Sequence, residues 1–279
     1  MAETFRLGMG QMLVEGGAVE ANLARGEEMV RRAARRGCRL VVLPECLDTG
    51  WMHPSAADAA RPIPGPSADP LCRAAAREGV HVVAGLTERD GEAIYNTAVL
   101  LSPEGRLLHK HRKINVLRDA QGLYETGDRL GVVRTPLGVF GLNICADNFP
   151  DSLALGHALA RMGAQVVLSP CAWAVDADHD NAVQPYGALW RGSYGELARL
   201  YDLWVVGVSN VGWITGGPWC GRKCIGCSLA VAPGGRVAAQ GPYGEAAEDL
   251  VVVEVRLVAR TLRGTDWAPH LKQKGYEGP

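Results

Sequence analysis

The chain contains no run of about 18 consecutive apolar residues, so nothing in it predicts a membrane-spanning helix. Its start, MAETFRLGMG, lacks the basic-then-apolar layout of a secretory signal, and a cytoplasmic protein is expected. Neither charge is in surplus, with 29 Lys+Arg against 30 Asp+Glu and a formal net charge of -1. Without a basic excess the chain has little to grip a phosphate backbone, and aromatics at 6% offer few stacking platforms, so no nucleic acid is expected as partner. No G-x-x-x-x-G-K or G-x-G-x-x-G follows a strand-like run, which removes the usual signal for nucleotide binding.

What is present suits an enzyme-sized globular chain of 279 residues, 47% of them apolar. At this length about three quarters of the unfolded surface can be buried, so no disulfide or structural metal is needed to hold a core. Cysteines stand at 38, 46, 72, 145, 171, 220, 224 and 227. Scattered through a long chain without an export signal, they are expected as free thiols.

Short Val/Leu-rich runs bounded by Gly or Pro mark strands at Phe5 to Met12, Leu40 to Leu43, Val80 to Leu86 and Ala98 to Ser102. They are nearly all apolar, as strands buried on both faces are. Leu23, Val30, Ala33 and Ala34 recur at helical spacing and predict a helix over Ala18 to Arg36, and a second helix is expected from Asp69 to Glu78. Between them the prolines of Arg61-Pro-Ile-Pro-Gly-Pro impose a rigid loop. The second half repeats this plan. Val41-Val-Leu-Pro answers to Val166-Val-Leu-Ser, Val82-Val-Ala-Gly to Val205-Val-Gly-Val, and Ala98 to Arg106 answers to Leu229 to Arg236, at nearly constant offsets. Each half reads strand, helix, strand, helix, strand, then a hairpin closed by Pro-Glu-Gly-Arg or Pro-Gly-Gly-Arg. The expectation is a layered α/β sandwich of two packed sheets covered by helices, with pseudo-twofold internal symmetry, in one domain over residues 1–279. The competing reading is that two ordinary α/β stretches look alike by chance.

Three predicted strand ends carry residues with chemistry. Leu40 to Pro44 stops at Glu45, Gly138 to Ile144 stops at Cys145, and Arg106 to Arg112 leads into Lys113. A helix is expected from Ser152 to Met162, and a cysteine between a strand end and a helix start is expected to feel the helix's positive pole, which favours thiolate. A carboxylate can take the thiol proton and an ammonium can hold the oxyanion formed on attack, so together the three suit acyl transfer. Singly, each has a plainer reading: a solvated strand-end acid, one cation of a surface run, a core thiol.

These residues carry a resemblance. Val41-Val-Leu-Pro-Glu45, His111-Arg-Lys113-Ile-Asn and Gly141-Leu-Asn-Ile-Cys145-Ala-Asp-Asn-Phe-Pro-Asp151 stand in the order seen in the nitrilase superfamily of carbon-nitrogen hydrolases, which the chain resembles from Gly8-Met-Gly-Gln to Val251–Val255. The resemblance implies a four-layer αββα sandwich, no cofactor and no metal, and a homodimer or larger homo-oligomer. It implies that Cys145 attacks a nitrile or amide carbon, Glu45 acts as base, and Lys113 steadies the tetrahedral intermediate. Many members carry another glutamate between the lysine and the cysteine, and here Glu125 is the candidate, with Asp119 a weaker one and a loop acid the alternative. Two positions depart from the pattern. Ala146 stands where an aromatic is common, and Asn115 where a histidine often follows the lysine. True nitrilases typically have Trp-Glu after the cysteine, whereas Ala146-Asp147 looks more like the amidase and carbamoyl-hydrolase branches. The substrate class implied is therefore a small carboxamide or N-carbamoyl compound, with a nitrile as the alternative and a catalytically inactive binding member of the fold as a further one. Trp173, three residues after Pro170, is placed in the same cleft as an acyl-pocket wall, with a core tryptophan as the equal alternative.

Two further motifs have plainer explanations. Cys220-Gly-Arg-Lys-Cys224-Ile-Gly-Cys227 matches the spacing of a radical-enzyme iron-sulfur loop, but its register against Asn96-Thr-Ala-Val-Leu-Leu makes Cys227 an ordinary strand residue. His109-Lys-His-Arg-Lys113 reads as a solvated strand edge rather than a polyanion patch.

Overall fold

The computed structural model describes residues 4–278. In the first half, β1 (Thr4–Gln11), α1 (Val19–Arg35), β2 (Cys38–Val42), the one-turn α2 (Ala56–Ala59), α3 (Asp69–Glu78), β3 (His81–Asp90), β4 (Ala93–Leu101) and β5 (Leu107–Arg112) follow one another. The second half runs β6 (Val132–Thr135), β7 (Gly138–Leu142), α4 (Leu153–Arg161), β8 (Val166–Cys171), β9 (Ala174–Val175), α5 (Ala188–Tyr201) and β10 (Trp204–Ser209). It continues through β11 (Val211–Trp213), β12 (Lys223–Ile225), β13 (Leu229–Ala232), β14 (Arg236–Gln240), β15 (Asp249–Arg256) and α6 (Trp267–Gln273).

Two six-stranded sheets result, ordered β15-β1-β2-β3-β4-β5 and β14-β13-β10-β8-β7-β6. The repeat seen in sequence is a repeat of topology. In the first sheet β1, β2 and β3 are parallel, with antiparallel β4 and β5 at one side and antiparallel β15 at the other. In the second, β7, β8 and β10 are parallel, with antiparallel β13 and β14 on one side and antiparallel β6 on the other. The tight turns of the two hairpins are made by Gly105, at φ +77°, and by Gly234 and Gly235, at φ +83° and +85°.

Strand alternation sorts the core into layers. Leu7, Met9, Leu40 and Val42 share one cluster with Phe140, Leu142 and Val205 of the second sheet and with Leu159 and Leu197 of α4 and α5. Their chain neighbours Val41, Leu43, Val82 and Ala84 share another with Val30 and Ala33 of α1 and Leu71 and Ala74 of α3. The layers are therefore helices, sheet, sheet, helices, and Phe5 meets Phe140 edge-on across the sheets at 6.2 Å between ring centroids. Among the described residues no helix is long and apolar enough to cross a membrane.

The turn after β2 lies directly on β3. Gly85 donates to the Pro44 carbonyl at 2.9 Å and accepts from Leu47 at 2.8 Å. A Cβ on Gly85 would stand 2.5 Å from Glu45 Cα and 2.8 Å from the Pro44 oxygen, so only glycine admits this approach. Gly85→Ala is expected to push the Pro44–Cys46 backbone off β3 and to cost about 1–3 kcal/mol of stability. The midpoint of urea unfolding measures it, and a midpoint equal to that of the unaltered chain would show that the turn yields freely.

Candidate active site

Glu45, Lys113 and Cys145 come from the ends of three strands and are 1%, 2% and 8% exposed. The Lys113 ammonium donates to Glu45 Oε1 at 2.7 Å. Asn96 on β4 donates its side-chain amide to the same oxygen at 2.6 Å, and its carbonyl accepts from the Lys113 backbone at 2.8 Å. Glu45 Oε2 is buried without a protein partner. The Glu45 backbone donates to the Cys171 carbonyl at 3.2 Å, which joins the ends of β2 and β8 from the two halves.

Cys145 opens a single 3-10 turn, Cys145–Asn148, and adopts φ +43°, a left-handed conformation rare for a side chain other than glycine. The turn is tied down from several sides. The Cys145 N–H donates to Ser169 Oγ at 3.0 Å, and Asn148 donates its side-chain amide to the same hydroxyl at 3.1 Å. Asp147 is buried and accepts four hydrogen bonds. Its Oδ1 takes the N–H groups of Ile114 and Asn115 at 3.1 and 2.7 Å, and its Oδ2 takes Ile144 N–H and His111 Nε2 at 2.9 and 2.8 Å. The Asn115 side chain donates to the Ala146 carbonyl at 2.8 Å.

Charge follows from these contacts. Burial by itself would depress Lys113, but the negative charge of Glu45 and the hydrogen bond to it overcome this, and the ammonium is held above the usual lysine range. The Cys145 thiol is pushed well up by its hydrogen bond with Cys171, by burial and by the charge of Glu45, against the pull of Lys113. This corrects the expectation of a thiolate set by a helix pole. The α-helix begins only at Leu153, and the thiol's immediate neighbours favour its neutral form. Burial would raise Asp147, but the hydrogen bond and charge of His111, the Asn115 N–H and the charge of Lys113 hold its carboxyl below the ordinary range. Such a group can move a proton between a neutral thiol and a carboxylate while keeping a fixed cation beside both.

The other expectations fare differently. Glu125 is exposed, held by its backbone N–H on the Ile94 carbonyl at 2.8 Å, and is not brought to the buried trio. Asp119 accepts from Trp219 Nε1 at 2.8 Å, also at the surface. Trp173 is buried, stacked on Trp190 at 4.8 Å between centroids, and shares the core cluster that contains Cys145. The run His109–Lys113 is not a solvated edge. His111 and Lys113 are buried, and Lys110 and Arg112 both pair with the buried Glu88 on β3. Cys227 is not a strand residue either. It sits between β12 and β13 at φ +58°, while Cys224 pairs within β12 and Cys220 is exposed. Among the described residues no group of three or more His, Cys, Asp or Glu side chains is placed to hold a metal ion. Asn96, His111, Asp147 and Ser169 went unread in the sequence as parts of this group. For Asn96, Asp147 and Ser169 the one signal was a polar residue in or beside an otherwise apolar strand, and for His111 its place within a charge run.

The family model for carbon-nitrogen hydrolase matches residues 6–262. A nitrilase of Pyrococcus abyssi is 31% identical over 245 residues, covering 85% of this chain and 84% of that protein. An omega-amidase of Mus musculus is 33% identical over 181 residues, covering 61% of this chain and 64% of that protein. The crystal structure of a carbon-nitrogen hydrolase from Helicobacter pylori superimposes with a TM-score of 0.82 at 18% identity, covering 91% and 90% of the two chains. The chain belongs to the carbon-nitrogen hydrolase family. It is an enzyme of that class, a hydrolase of amide or nitrile C–N bonds.

Because the carboxyl of Asp147 is held low, its contribution to stability is present above about pH 4 and is lost as pH falls through the folded-state value. Asp147→Asn is expected to cost about 1–3 kcal/mol at neutral pH, since it strands buried donors. The difference between variant and unaltered chain should shrink as pH drops below about 4, where the unaltered carboxylate itself takes a proton. Urea unfolding of the two proteins between pH 3 and 7 measures this, and a pH-independent difference would contradict an ionised Asp147.

Proposed function

We propose that the chain hydrolyses the C–N bond of a small carboxamide or N-carbamoyl compound through a cysteine thioester, releasing ammonia or an amine. The observation that carries this reading is the buried pairing of Glu45 with Lys113 beside the Cys145 turn, with the second carboxylate oxygen of Glu45 left unpartnered. In this reading Glu45 takes the thiol proton as sulfur attacks the carbonyl carbon, so no standing thiolate is needed. Lys113 stays charged and steadies the oxyanion of the tetrahedral intermediate. Collapse returns the proton from Glu45 to the departing nitrogen and leaves the acyl group on sulfur. A water then gives a proton to Glu45 and attacks the thioester, and the carboxylic acid leaves as the thiol is restored. The sum is one water consumed for each C–N bond cut.

Trp173 forms a wall on the acyl side, a role suited to its stacked and buried ring following β8. Ala146-Asp147 after the cysteine, in place of Trp-Glu, and the likeness to an omega-amidase favour an amide. The likeness to a nitrilase gives a nitrile as the second reading. We further propose that the chain acts as one domain in the cytoplasm, where eight free thiols stay reduced, and as a homodimer or larger homo-oligomer.

Ammonia release from a panel of small amides, carbamoyl compounds and nitriles tests the reading. Cys145→Ala should abolish turnover in a folded protein, and Glu45→Gln and Lys113→Ala should each lower kcat by about 10²–10³, the scale of losing one charge-stabilising group. Turnover that survives Cys145→Ala would overturn the thioester route. Turnover confined to nitriles would choose the second reading, and silence across the panel would favour an inactive member of the fold.

A further inference from the structure

Lys113 and Cys145 lie on different sheets, and the reading above requires them to keep a fixed relation. We propose that His111, Asp147 and Asn115 form a clasp that positions Lys113 against Cys145, a role that rests on the catalytic reading of those two residues. None of the three is assigned a contact with the reacting atoms. They are positioning residues.

The connection is direct. The two backbone N–H groups that follow Lys113, those of Ile114 and Asn115, end on Asp147 Oδ1. The N–H that precedes Cys145, that of Ile144, ends on Oδ2 of the same carboxylate. One buried carboxylate thus grips the chain just after the cation and just before the nucleophile. His111, two residues before Lys113 on β5, donates to Oδ2, while the Asn115 side chain crosses back to the carbonyl of Ala146, the residue after Cys145. Shifting Lys113 relative to Cys145 would break several of these bonds together, and each buried donor or acceptor left alone costs about 1–3 kcal/mol. Asn115 and Ala146, the two positions where the chain departs from its family's pattern, are the pair joined by a side-chain amide on a backbone carbonyl.

The test uses the full chain carrying His111→Leu, His111→Gln or Asn115→Ala. Leucine removes the donor to Asp147, whereas the glutamine amide can replace it from a similar reach. Asn115 is half-buried, and Asn115→Ala deletes its side-chain bond to Ala146 while leaving the backbone bond to Asp147. The readout is the rate at which iodoacetamide alkylates Cys145, followed by peptide mass spectrometry, with exposed Cys220 as the internal control. A cation that drifts from the thiol makes it a poorer nucleophile, so Cys145 alkylation should slow about tenfold to a hundredfold in His111→Leu and severalfold in Asn115→Ala. His111→Gln should recover most of the rate, Cys220 should react alike in all, and His111→Gln and Asn115→Ala should melt with the unaltered chain. In amide hydrolysis the loss should fall on kcat rather than KM.

Unchanged or faster Cys145 alkylation in folded Asn115→Ala or His111→Leu would overturn the clasp. So would a His111→Gln variant as impaired as His111→Leu, or an unaltered Cys145 inert to the reagent. Because alkylation needs no turnover, these outcomes are separate from survival of activity in Cys145→Ala, which would overturn the catalytic reading itself.

Discussion

Everything in this site depends on two opposite charges held out of water, the Lys113 ammonium and the Glu45 carboxylate at 2.7 Å. Taking either ion from water costs several kcal/mol, and the pair recovers that only where its geometry is fixed and the remaining polar valences are filled. Here the geometry is fixed and Glu45 Oε1 is filled, while Oε2 is left open. Asn96 fills a second valence on Glu45 Oε1 and fixes the lysine backbone, while Gly85 lets the glutamate turn lie flat on β3. On the outer edge, Lys110 and Arg112 pair with buried Glu88, so β5 is anchored by charges of its own before it delivers Lys113. A charge run that looks like solvated surface in the sequence is, in space, an alternation: His111 and Lys113 turn inward, and Lys110 and Arg112, which alternate with them, close on a strand-borne acid.

The doubled architecture explains how residues so far apart in sequence reach one place. Parallel strands end on the same side of a sheet, and ligands gather where such ends emerge. Two sheets of matching topology packed face to face bring their strand ends together, and the bond from the Glu45 N–H to the Cys171 carbonyl marks that junction. The first sheet supplies Glu45 and Lys113, the second Cys145 and Ser169, which holds its turn. Neither sheet carries the group alone.

That division also decides what was legible in the sequence. The strands, both long helices of the first half and the internal repeat follow from local apolar runs and turn chemistry; the helices recur at nearly the expected bounds, while β3 and β4 run on past their apolar stretches as a hairpin paired out to Asp90 and Ala93. Glu45, Lys113 and Cys145 were legible jointly, as charged or thiol residues terminating three strand-like runs in a familiar order. Asn96, His111, Asp147 and Ser169 were not, because a single polar residue in or beside a strand reads the same whether it faces water, a hairpin partner or a buried carboxylate. Glu125 was misplaced for a related reason. In Tyr124-Glu-Thr-Gly127 the acid and the threonine are exposed between buried Tyr124 and Gly127, so Glu125 faces outward. Cys227 was drawn into a strand by its register, but Gly226 and Cys227 both adopt positive φ, which ends the ladder before β13 begins.

The resting thiol completes the logic of the buried pair. With Lys113 positive and Glu45 negative, the local charge is already balanced, so ionising Cys145 would add an uncompensated anion beside a carboxylate in a buried site. That is why burial, Glu45 and the neighbouring Cys171 thiol together outweigh the single cation and keep the sulfur neutral. A nucleophile that must give up its proton during attack needs a base already aligned with it, and here the unpartnered Oε2 of Glu45 is the free acceptor. In the proposed reaction, moving that proton from sulfur to carboxylate would accompany formation of the oxyanion and neutralise the acid, so the net charge of the site would be unchanged and Lys113 would be free to face the new anion. The left-handed turn at Cys145 and the bonds that hold it keep the sulfur in position until that transfer occurs.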